Sequence, residues 1–192
     1  MALQSENRMT VEEYLRMERE TPGKRDFLNG EVFDMTGGSR AHNLIAGNIF
    51  ASFHRQLRRR EPCEVYMNDM RVKVEFGELY TYPDIVIACE SPEMEDEHFD
   101  TLLNPQVIVE VLSPSTEAYD RGLKFEHFRS LKSFRDYLLV HQNKVHVEHF
   151  ARREGNQWVL SEWRKPSDTI EIDSVGCHLN LAEIYEKTNL SE

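Results

Sequence analysis

Two apolar runs of strand length constrain the fold of this chain more than any other feature. They are TYPDIVIAC (81–89) and PQVIVEVLS (105–113). Continuous apolar runs of this length are typical of strands that are buried on both faces of a sheet. Yet each run contains one acidic residue, Asp84 directly after Pro83 and Glu110 among apolar neighbours. A buried carboxylate is costly unless it is paired, protonated or bound to a metal.

Asp84 and Glu110 therefore need partners. On neighbouring strands the two carboxylates would repel each other, and a hard divalent cation such as Mg²⁺ would satisfy both, since it prefers carboxylate oxygens. Two structural alternatives stay open. An aspartate after proline at the start of a strand is often a turn residue, and a single glutamate in a core strand can belong to a buried ion pair.

Local patterns predict the remaining elements. Thr10 and Glu13 form a capping-box pattern for a helix over 10–20, and Asn29-Gly30 is a strong hairpin signal. Apolar residues at helical spacing predict a long helix within 37–60. Further segments are assigned as strands (CEVYMN, MRVKVEF, DYLLVHQ), a helix (STEAYDRGLKFEHFRSL), a loop (90–104), an antiparallel meander (KVHVEHF, WVLSEW, TIEI) and a short closing helix (LAEIYEK).

This order of elements predicts an α/β (α+β) layered fold. A central mixed β-sheet is flanked by helices and followed by a C-terminal antiparallel extension. We find neither repeats nor a linker, so we expect one domain over residues 1–192.

Composition limits the function classes. The net charge is −11, which argues against indiscriminate nucleic-acid binding because such binding relies on neutralising phosphates with Lys and Arg. The one dense basic run, HRQLRRR, contains Arg58, Arg59 and Arg60. It is either a solvated helix end or a contact for a DNA backbone.

The expected location is cytoplasmic. No run approaches the ~18 apolar residues of a membrane helix, and the N-terminal residues do not resemble a signal peptide. The cysteines Cys63, Cys89 and Cys177 are odd in number and form no CxxC pair. We therefore expect isolated thiols in a reducing compartment.

Two further patterns have competing interpretations. Asp120 and Lys124 are spaced as an i,i+4 surface ion pair, but Lys124 could equally be directed at the two acids to steady negative charge on a phosphate. His141, His146 and His149 suggest zinc. Strand side chains alternate, however, which places His146 and His149 on opposite faces, so we do not expect a zinc site from these three residues.

The chain resembles a known family at the same positions. YPDIVI followed by PQVIVEVLSPSTEAYDRGLKF is similar to the Uma-two (Uma2) family of restriction-endonuclease-like proteins, within the PD-(D/E)XK nuclease superfamily. The resemblance extends to FLNGEVFDMTGGSRAHNLIAGNI and SVGCHLNLAEIYE. It implies a restriction-endonuclease-like fold.

The resemblance also implies roles for individual residues. Asp84 and Glu110 would be metal ligands, with the backbone carbonyl of Val111 as a third ligand. The lysine expected two positions after Glu110 is replaced by Leu112. Lys124 matches a displaced lysine that would substitute for it.

Two more positions match the family pattern. Asp26 stands where the family tends to carry a glutamate before the turn, and its side chain is one methylene shorter. His42 in RAHN matches an auxiliary position, although a histidine at the start of a helix can also cap or pack.

The function implied is a Mg²⁺- or Mn²⁺-dependent endonuclease that hydrolyses DNA phosphodiester bonds, and the resemblance allows a homodimer. The alternative is a non-catalytic nucleic-acid- or protein-binding module on the same fold. The acidic net charge, the missing lysine at position 112 and the shorter acid at Asp26 favour that alternative.

Overall fold

The computed structural model describes residues 8–35 and 37–190. Its α-helices are α1 Val11–Glu20, α2 Arg40–Leu57, α3 Glu117–Tyr119, α4 Phe125–Phe128 and α5 Leu181–Ile184. A π-helical turn, Asp120–Lys124, joins α3 to α4, and a 3-10 turn spans Glu154–Asn156.

The strands alternate with these helices along the chain. They are β1 Arg25–Leu28, β2 Glu31–Asp34, β3 Glu64–Met67, β4 Arg71–Val74, β5 Leu79–Thr81, β6 Ile85–Ala88, β7 Thr101–Leu102, β8 Val107–Leu112, β9 Asp136–His141, β10 Val147–Arg152, β11 Trp158–Trp163, β12 Thr169–Ile172 and β13 Cys177–Asn180.

A six-stranded sheet lies at the centre, in the order β11-β10-β9-β8-β6-β3. β8 and β9 are parallel, and the other neighbours are antiparallel. The sheet is therefore mixed, and the predicted fold class is confirmed. Alternation along the buried strands sends one set of side chains towards α2 and the other set towards the segment from α3 to α4.

A second sheet of five strands, β2-β1-β5-β4-β7, packs beside the first. The apolar run 81–89 was expected to be one strand, and this is wrong. β5 ends at Thr81 in the second sheet and β6 begins at Ile85 in the central sheet. Pro83 lies between them and has no N–H for a ladder, so Asp84 is placed at the junction of the two sheets.

Local signals near the N-terminus are confirmed. Thr10 and Glu13 form the reciprocal capping box of α1. Asn29 and Gly30 take the left-handed backbone conformation, with φ of 48° and 89°, at the turn between β1 and β2. Ser39 caps α2 by accepting a hydrogen bond from the His42 N–H.

Three local expectations are corrected. The helix expected after β8 is present over residues 117–128, but its middle, Asp120–Lys124, is a π-helical turn between α3 and α4. TIEI does not join the meander, because β12 pairs with β13 in a separate hairpin whose apolar residues pack in the same core as α2. The acidic loop 90–104 contains the short strand β7, which pairs with β4.

The expectation of isolated thiols is also wrong for two of the three cysteines. Glu64 pairs with Ala88 across β3 and β6, and the residues just beyond this pair, Cys63 and Cys89, form a disulfide bond. Cys177 is a free, buried thiol. The cysteines therefore no longer support the expected cytoplasmic location. In the described part of the chain, none of the helices has the length and apolar character to cross a membrane.

Candidate active site

Asp84 and Glu110 meet where β6 and β8 run side by side. Ile85 pairs with Val109, so the residues flanking this pair are neighbours. One carboxylate oxygen of Asp84, Oδ2, accepts a hydrogen bond of 2.7 Å from the Val111 N–H. The Asp84 N–H in turn donates to Glu110 Oε2 at 3.4 Å. Each acid is thus held by the backbone next to the other.

Lys124, at the end of the π-helical turn, contacts one of these two acids, Glu110. Its Nζ lies 2.9 Å from Glu110 Oε1, and both side chains are 5% exposed. Asp120 is the second partner of Lys124, with its Oδ1 at 3.2 Å from Nζ. The contact between Asp120 and Lys124 is therefore buried, and the surface ion pair considered from the sequence is wrong.

Asp120 and Lys124 face the same way because residues four apart share one side of a helix. The segment that carries them is a π-helical turn, and such turns are frequent at functional sites. Asp120 was not recognised as a site residue from the sequence. Its spacing to Lys124 was visible, but the burial of both depends on how the turn packs against the sheet.

Asp26 lies on the neighbouring sheet and closes the site. It is 4% exposed, and its Oδ1 accepts a hydrogen bond of 3.3 Å from the Tyr82 N–H. Burial raises the pKa of Asp26, and the nearby Lys124 charge opposes this rise. Asp26 therefore lies close enough to Lys124 for the two charges to interact, although the direct contacts of Lys124 are with Glu110 and Asp120.

His42, in the first turn of α2, contacts the same site. Its Nε2 is 3.2 Å from Asp84 Oδ2. Burial alone would lower the pKa of His42, but the Asp84 carboxylate, the Asp120 charge and the Val111 carbonyl together raise it. A cationic imidazole is therefore favoured beside Asp84.

Four carboxylates lie close together in this site, and two of them, Glu110 and Asp120, contact the ammonium group of Lys124. We call this set the carboxylate pocket; its members are Asp26, Asp84, Glu110 and Asp120. Burial, with smaller contributions from the other acids, raises the pKa of Glu110 well above its ordinary value, although Lys124 opposes the rise. Burial alone would lower the pKa of Lys124, but the surrounding carboxylates raise it well above its ordinary value. The pocket is short of positive charge.

Two buried oxygens in the pocket lack hydrogen-bond partners. Asp120 Oδ1 is close to Lys124 but outside hydrogen-bonding geometry, and it accepts no hydrogen bond from the described residues. The hydroxyl of Tyr119 is also without a partner there, and Lys124 Nζ lies 5.4 Å from the centre of its ring. An unsatisfied buried polar group costs about 1–3 kcal/mol, which is consistent with a ligand being bound here.

The donor set fits a hard divalent cation. Asp84 and Glu110 supply carboxylate oxygens, the ligands that Mg²⁺ prefers. The N–H and C=O of a strand residue point to the same side, so the carbonyl of Val111 faces the side on which its N–H meets Asp84. His42 also contacts that carbonyl. The three expected ligands are therefore neighbours.

The basic run is not part of this site. α2 has 18 residues, about 27 Å at ~1.5 Å per residue, and His42 is at its N-terminal end whereas Arg58, Arg59 and Arg60 follow its C-terminal end. All three arginines are exposed, and Arg60 donates a hydrogen bond of 2.6 Å to the Val175 carbonyl. A DNA contact by these residues stays a prediction.

Comparisons with known proteins agree with this architecture. The model of the Uma2 family, described as "Putative restriction endonuclease", matches residues 11–182. The chain belongs to the Uma2 family. It is 32% identical to "Uncharacterized protein slr1290" of Synechocystis sp., over 93% of this chain and 92% of the relative. It is also 32% identical to "Uncharacterized protein sll1609" of the same organism, over 85% and 92%.

A solved structure shares the fold. The crystal structure of "a putative nuclease belonging to DUF820" from Anabaena variabilis superimposes with a TM-score of 0.71, covering 92% of this chain and 97% of that one. The two sequences are 16% identical, so this likeness concerns the fold alone.

Proposed function

We propose that this Uma2 protein is a Mg²⁺- or Mn²⁺-dependent endonuclease that hydrolyses DNA phosphodiester bonds at the carboxylate pocket. The observation that carries the proposal is that Asp84 and Glu110 lie side by side at a site where Lys124 contacts Glu110 and Asp120 and where buried Asp26 lies nearby. The description of the Uma2 family as "Putative restriction endonuclease" supports a nucleic-acid substrate. The name of the Anabaena protein, a putative nuclease, agrees with it.

Residues of the chain would hold the cation in a fixed place. Asp84 is positioned by the Val111 N–H and Glu110 by Lys124, so both carboxylates are oriented before any ligand arrives. Preorganised donors of this kind lose little energy to reorganisation during a reaction. A bound Mg²⁺ would activate a water and neutralise charge on the scissile phosphate.

Lys124 is the group best placed to assist with protons and charge. Its ammonium carries three N–H donors and has no acceptor capacity. Glu110 takes one donor, and Asp120 lies outside hydrogen-bonding geometry. In this proposal a remaining N–H orients the attacking water or steadies negative charge on the phosphate, and the cationic His42 adds a second positive charge beside Asp84.

One observation favours the alternative of a non-catalytic binding module. Lys124 is 5% exposed and has a carboxylate on two sides, an arrangement that also suits a purely structural ion pair. The two functions differ in their need for metal, because a binding module does not require a cation to be bound by Asp84 and Glu110.

The decisive experiment is divalent-dependent nicking of supercoiled plasmid DNA. We expect activity in Mg²⁺ or Mn²⁺ for the wild-type protein, and its loss in Asp84→Asn and Glu110→Gln. Asp69→Asn is a matched control, since Asp69 is an acid whose side chain is 87% exposed and bonded to Lys24. Equal activity in all four proteins would identify a contaminant and remove the site assignment.

Calorimetric titration with Mn²⁺ separates the two functions independently of DNA. Binding that disappears in Asp84→Asn but persists in Asp69→Asn supports the nuclease. No heat at millimolar Mn²⁺ supports the binding module. A homodimer belongs to the same proposal, and sedimentation velocity of the wild-type protein tests it.

A further inference from the structure

A second cluster of metal-binding side chains lies outside the carboxylate pocket. His141 ends β9, and His146 and Glu148 come from the start of β10 and the turn before it. One atom of each residue, the imidazole nitrogens and a carboxylate oxygen, lies within 4.8 Å of the others. We call these three residues the histidine cluster.

Register explains why the three side chains converge. The His141 N–H donates to the His146 carbonyl at 3.0 Å, which places the two residues opposite each other on antiparallel strands. Their rings stack with centroids 4.5 Å apart and planes inclined by 10°. Glu148, two residues after His146, lies on the same face by strand alternation. His149 lies on the other face and contacts Asp136 at 2.6 Å.

A fourth donor comes from the next strand. Glu162 on β11 pairs with Glu148, and its Oε1 lies 2.8 Å from His146 Nε2. Two carboxylates directly opposite each other on a sheet repel unless a cation lies between them. The cluster therefore combines two imidazoles with two carboxylates at one end of the central sheet.

In this structure the cation at the cluster is a guanidinium. Arg121 donates a hydrogen bond of 2.7 Å to Glu148 Oε1, and its Nη2 is 3.0 Å from His141 Nε2. One tautomer of His141 donates from Nε2 to Glu148 Oε1 at 3.2 Å. A guanidinium only donates, so the contact with Arg121 uses the other tautomer, whose Nε2 carries a lone pair. That is the form of histidine that binds metals. Arg121 has another partner, because it donates to Glu117 at 2.8 Å, and it can leave Glu148 without losing all its contacts.

We propose that the histidine cluster binds a divalent transition metal of the zinc class in competition with Arg121. Imidazole nitrogen suits zinc and similar ions better than Mg²⁺. The distances suit it as well. His141 Nε2 and His146 Nε2 lie 3.2 and 3.8 Å from Glu148 Oε1, and the ligands of a tetrahedral zinc with bonds of about 2.0–2.1 Å are roughly 3.3 Å apart.

Two features weaken the expected binding. Arg121 must be displaced, and the Nδ1 of His146 is buried without a partner among the described residues. A metal-binding imidazole normally donates its second N–H to an acceptor, and loss of that contact weakens binding by about 10–100-fold.

The test is calorimetric titration of Zn²⁺ into the full chain carrying Asp84→Asn, which keeps the carboxylate pocket from contributing. We expect one equivalent to bind, and affinity to fall by more than about tenfold in added His141→Ala or His146→Ala. His178→Ala is the control, because His178 is exposed and its loss should leave binding unchanged.

The variant Arg121→Gln distinguishes loss of the metal site from a failure to fold. Removing the competing cation, and with it a charge-assisted hydrogen bond that the metal must displace, should tighten Zn²⁺ binding by about tenfold or more. A damaged protein would not gain affinity. Unchanged binding in both histidine variants would overturn the proposal. So would weaker binding in Arg121→Gln. Neither result bears on DNA cleavage, which is measured with Mg²⁺.

Discussion

Two buried glutamates on one face of the central sheet have different surroundings. Glu110 on β8 and Glu148 on β10 both lie opposite Leu139 of β9. Each is met by a cation from the same π-helical turn, Lys124 for Glu110 and Arg121 for Glu148. The register is shared, so the difference between the two lies in the chemistry around them.

The charge balance separates the two regions. Glu148 is matched by the fork of Arg121, which binds both of its oxygens, and this pairing lowers the pKa of Glu148 although burial alone would raise it. Glu110 shares Lys124 with other acids, and burial raises its pKa. An incomplete counter-charge, rather than a buried acid as such, distinguishes the pocket in which we propose that Mg²⁺ binds.

Removal of each cation should have unequal effects. Lys124→Met leaves Glu110 and Asp120 without the cation that contacts them, and breaking a buried pair of this kind costs about 3–5 kcal/mol. Arg121→Met should cost about 1–3 kcal/mol, because Arg121 is 31% exposed and Glu148 stays beside two histidines. Urea unfolding without metal measures both free energies. Equal losses of stability in Lys124→Met and Arg121→Met would contradict the proposed difference in charge balance between the two regions.

Metal should rescue only one of these variants. A cation that binds the folded state stabilises it by about 2.7 kcal/mol at 100 times its dissociation constant. Saturating Mg²⁺ should therefore restore much of the stability of Lys124→Met and have little effect on Arg121→Met. Rescue of Arg121→Met by Mg²⁺ would show that the two regions respond alike.

The pH dependence of stability should have opposite signs at the two glutamates. Because the folded state raises the pKa of Glu110, this residue stabilises the fold when protonated, and that contribution is lost as pH rises from the unfolded pKa towards the folded one. The folded state lowers the pKa of Glu148. Its contribution is present above the unfolded pKa and is lost as pH falls through the folded pKa.

Isosteric variants isolate these contributions. Glu110→Gln should increase the free energy of unfolding at neutral pH in the absence of metal, and the gain should shrink towards pH 4. Glu148→Gln should decrease it by about 1–3 kcal/mol at neutral pH and matter less under acid conditions. Unfolding curves from pH 4 to 8 provide the measurement. A loss of stability in Glu110→Gln at neutral pH would contradict the charge imbalance.

Local patterns predicted much of the fold. The turn at Asn29-Gly30, the capping box at Thr10 and the apolar spacing of α2 depend on residues close in sequence, and all three are confirmed. The meeting of Asp84 with Glu110 was also accessible, because two apolar runs with one acid each favour neighbouring core strands. The roles assigned to these acids stay predictions.

Features that depend on register or packing were not accessible. The Cys63–Cys89 bond follows from the pairing of β3 with β6, which composition does not reveal. Asp120 belongs to the carboxylate pocket because the helix face that carries it is buried, whereas its spacing to Lys124 fits an exposed helix face equally well. The histidine cluster required Glu148 instead of His149, since strand alternation excludes the latter.

Tyr119→Phe should give the smallest change in the free energy of unfolding, because Tyr119 lies at the border of the carboxylate pocket. The Tyr119 hydroxyl is buried without a partner among the described residues, and burial, the largest cause, raises its pKa, so the neutral phenol persists at any working pH. Removing an unsatisfied hydroxyl while keeping the ring near Lys124 should stabilise the metal-free protein by about 1 kcal/mol.

Tyr66→Phe is the control, because the Tyr66 hydroxyl is hydrogen-bonded to Glu64 and its removal brings no such gain. A loss of stability in Tyr119→Phe would mean that the hydroxyl has a hydrogen-bond partner in solution. The region of the carboxylate pocket would then contain one buried polar group fewer without a partner.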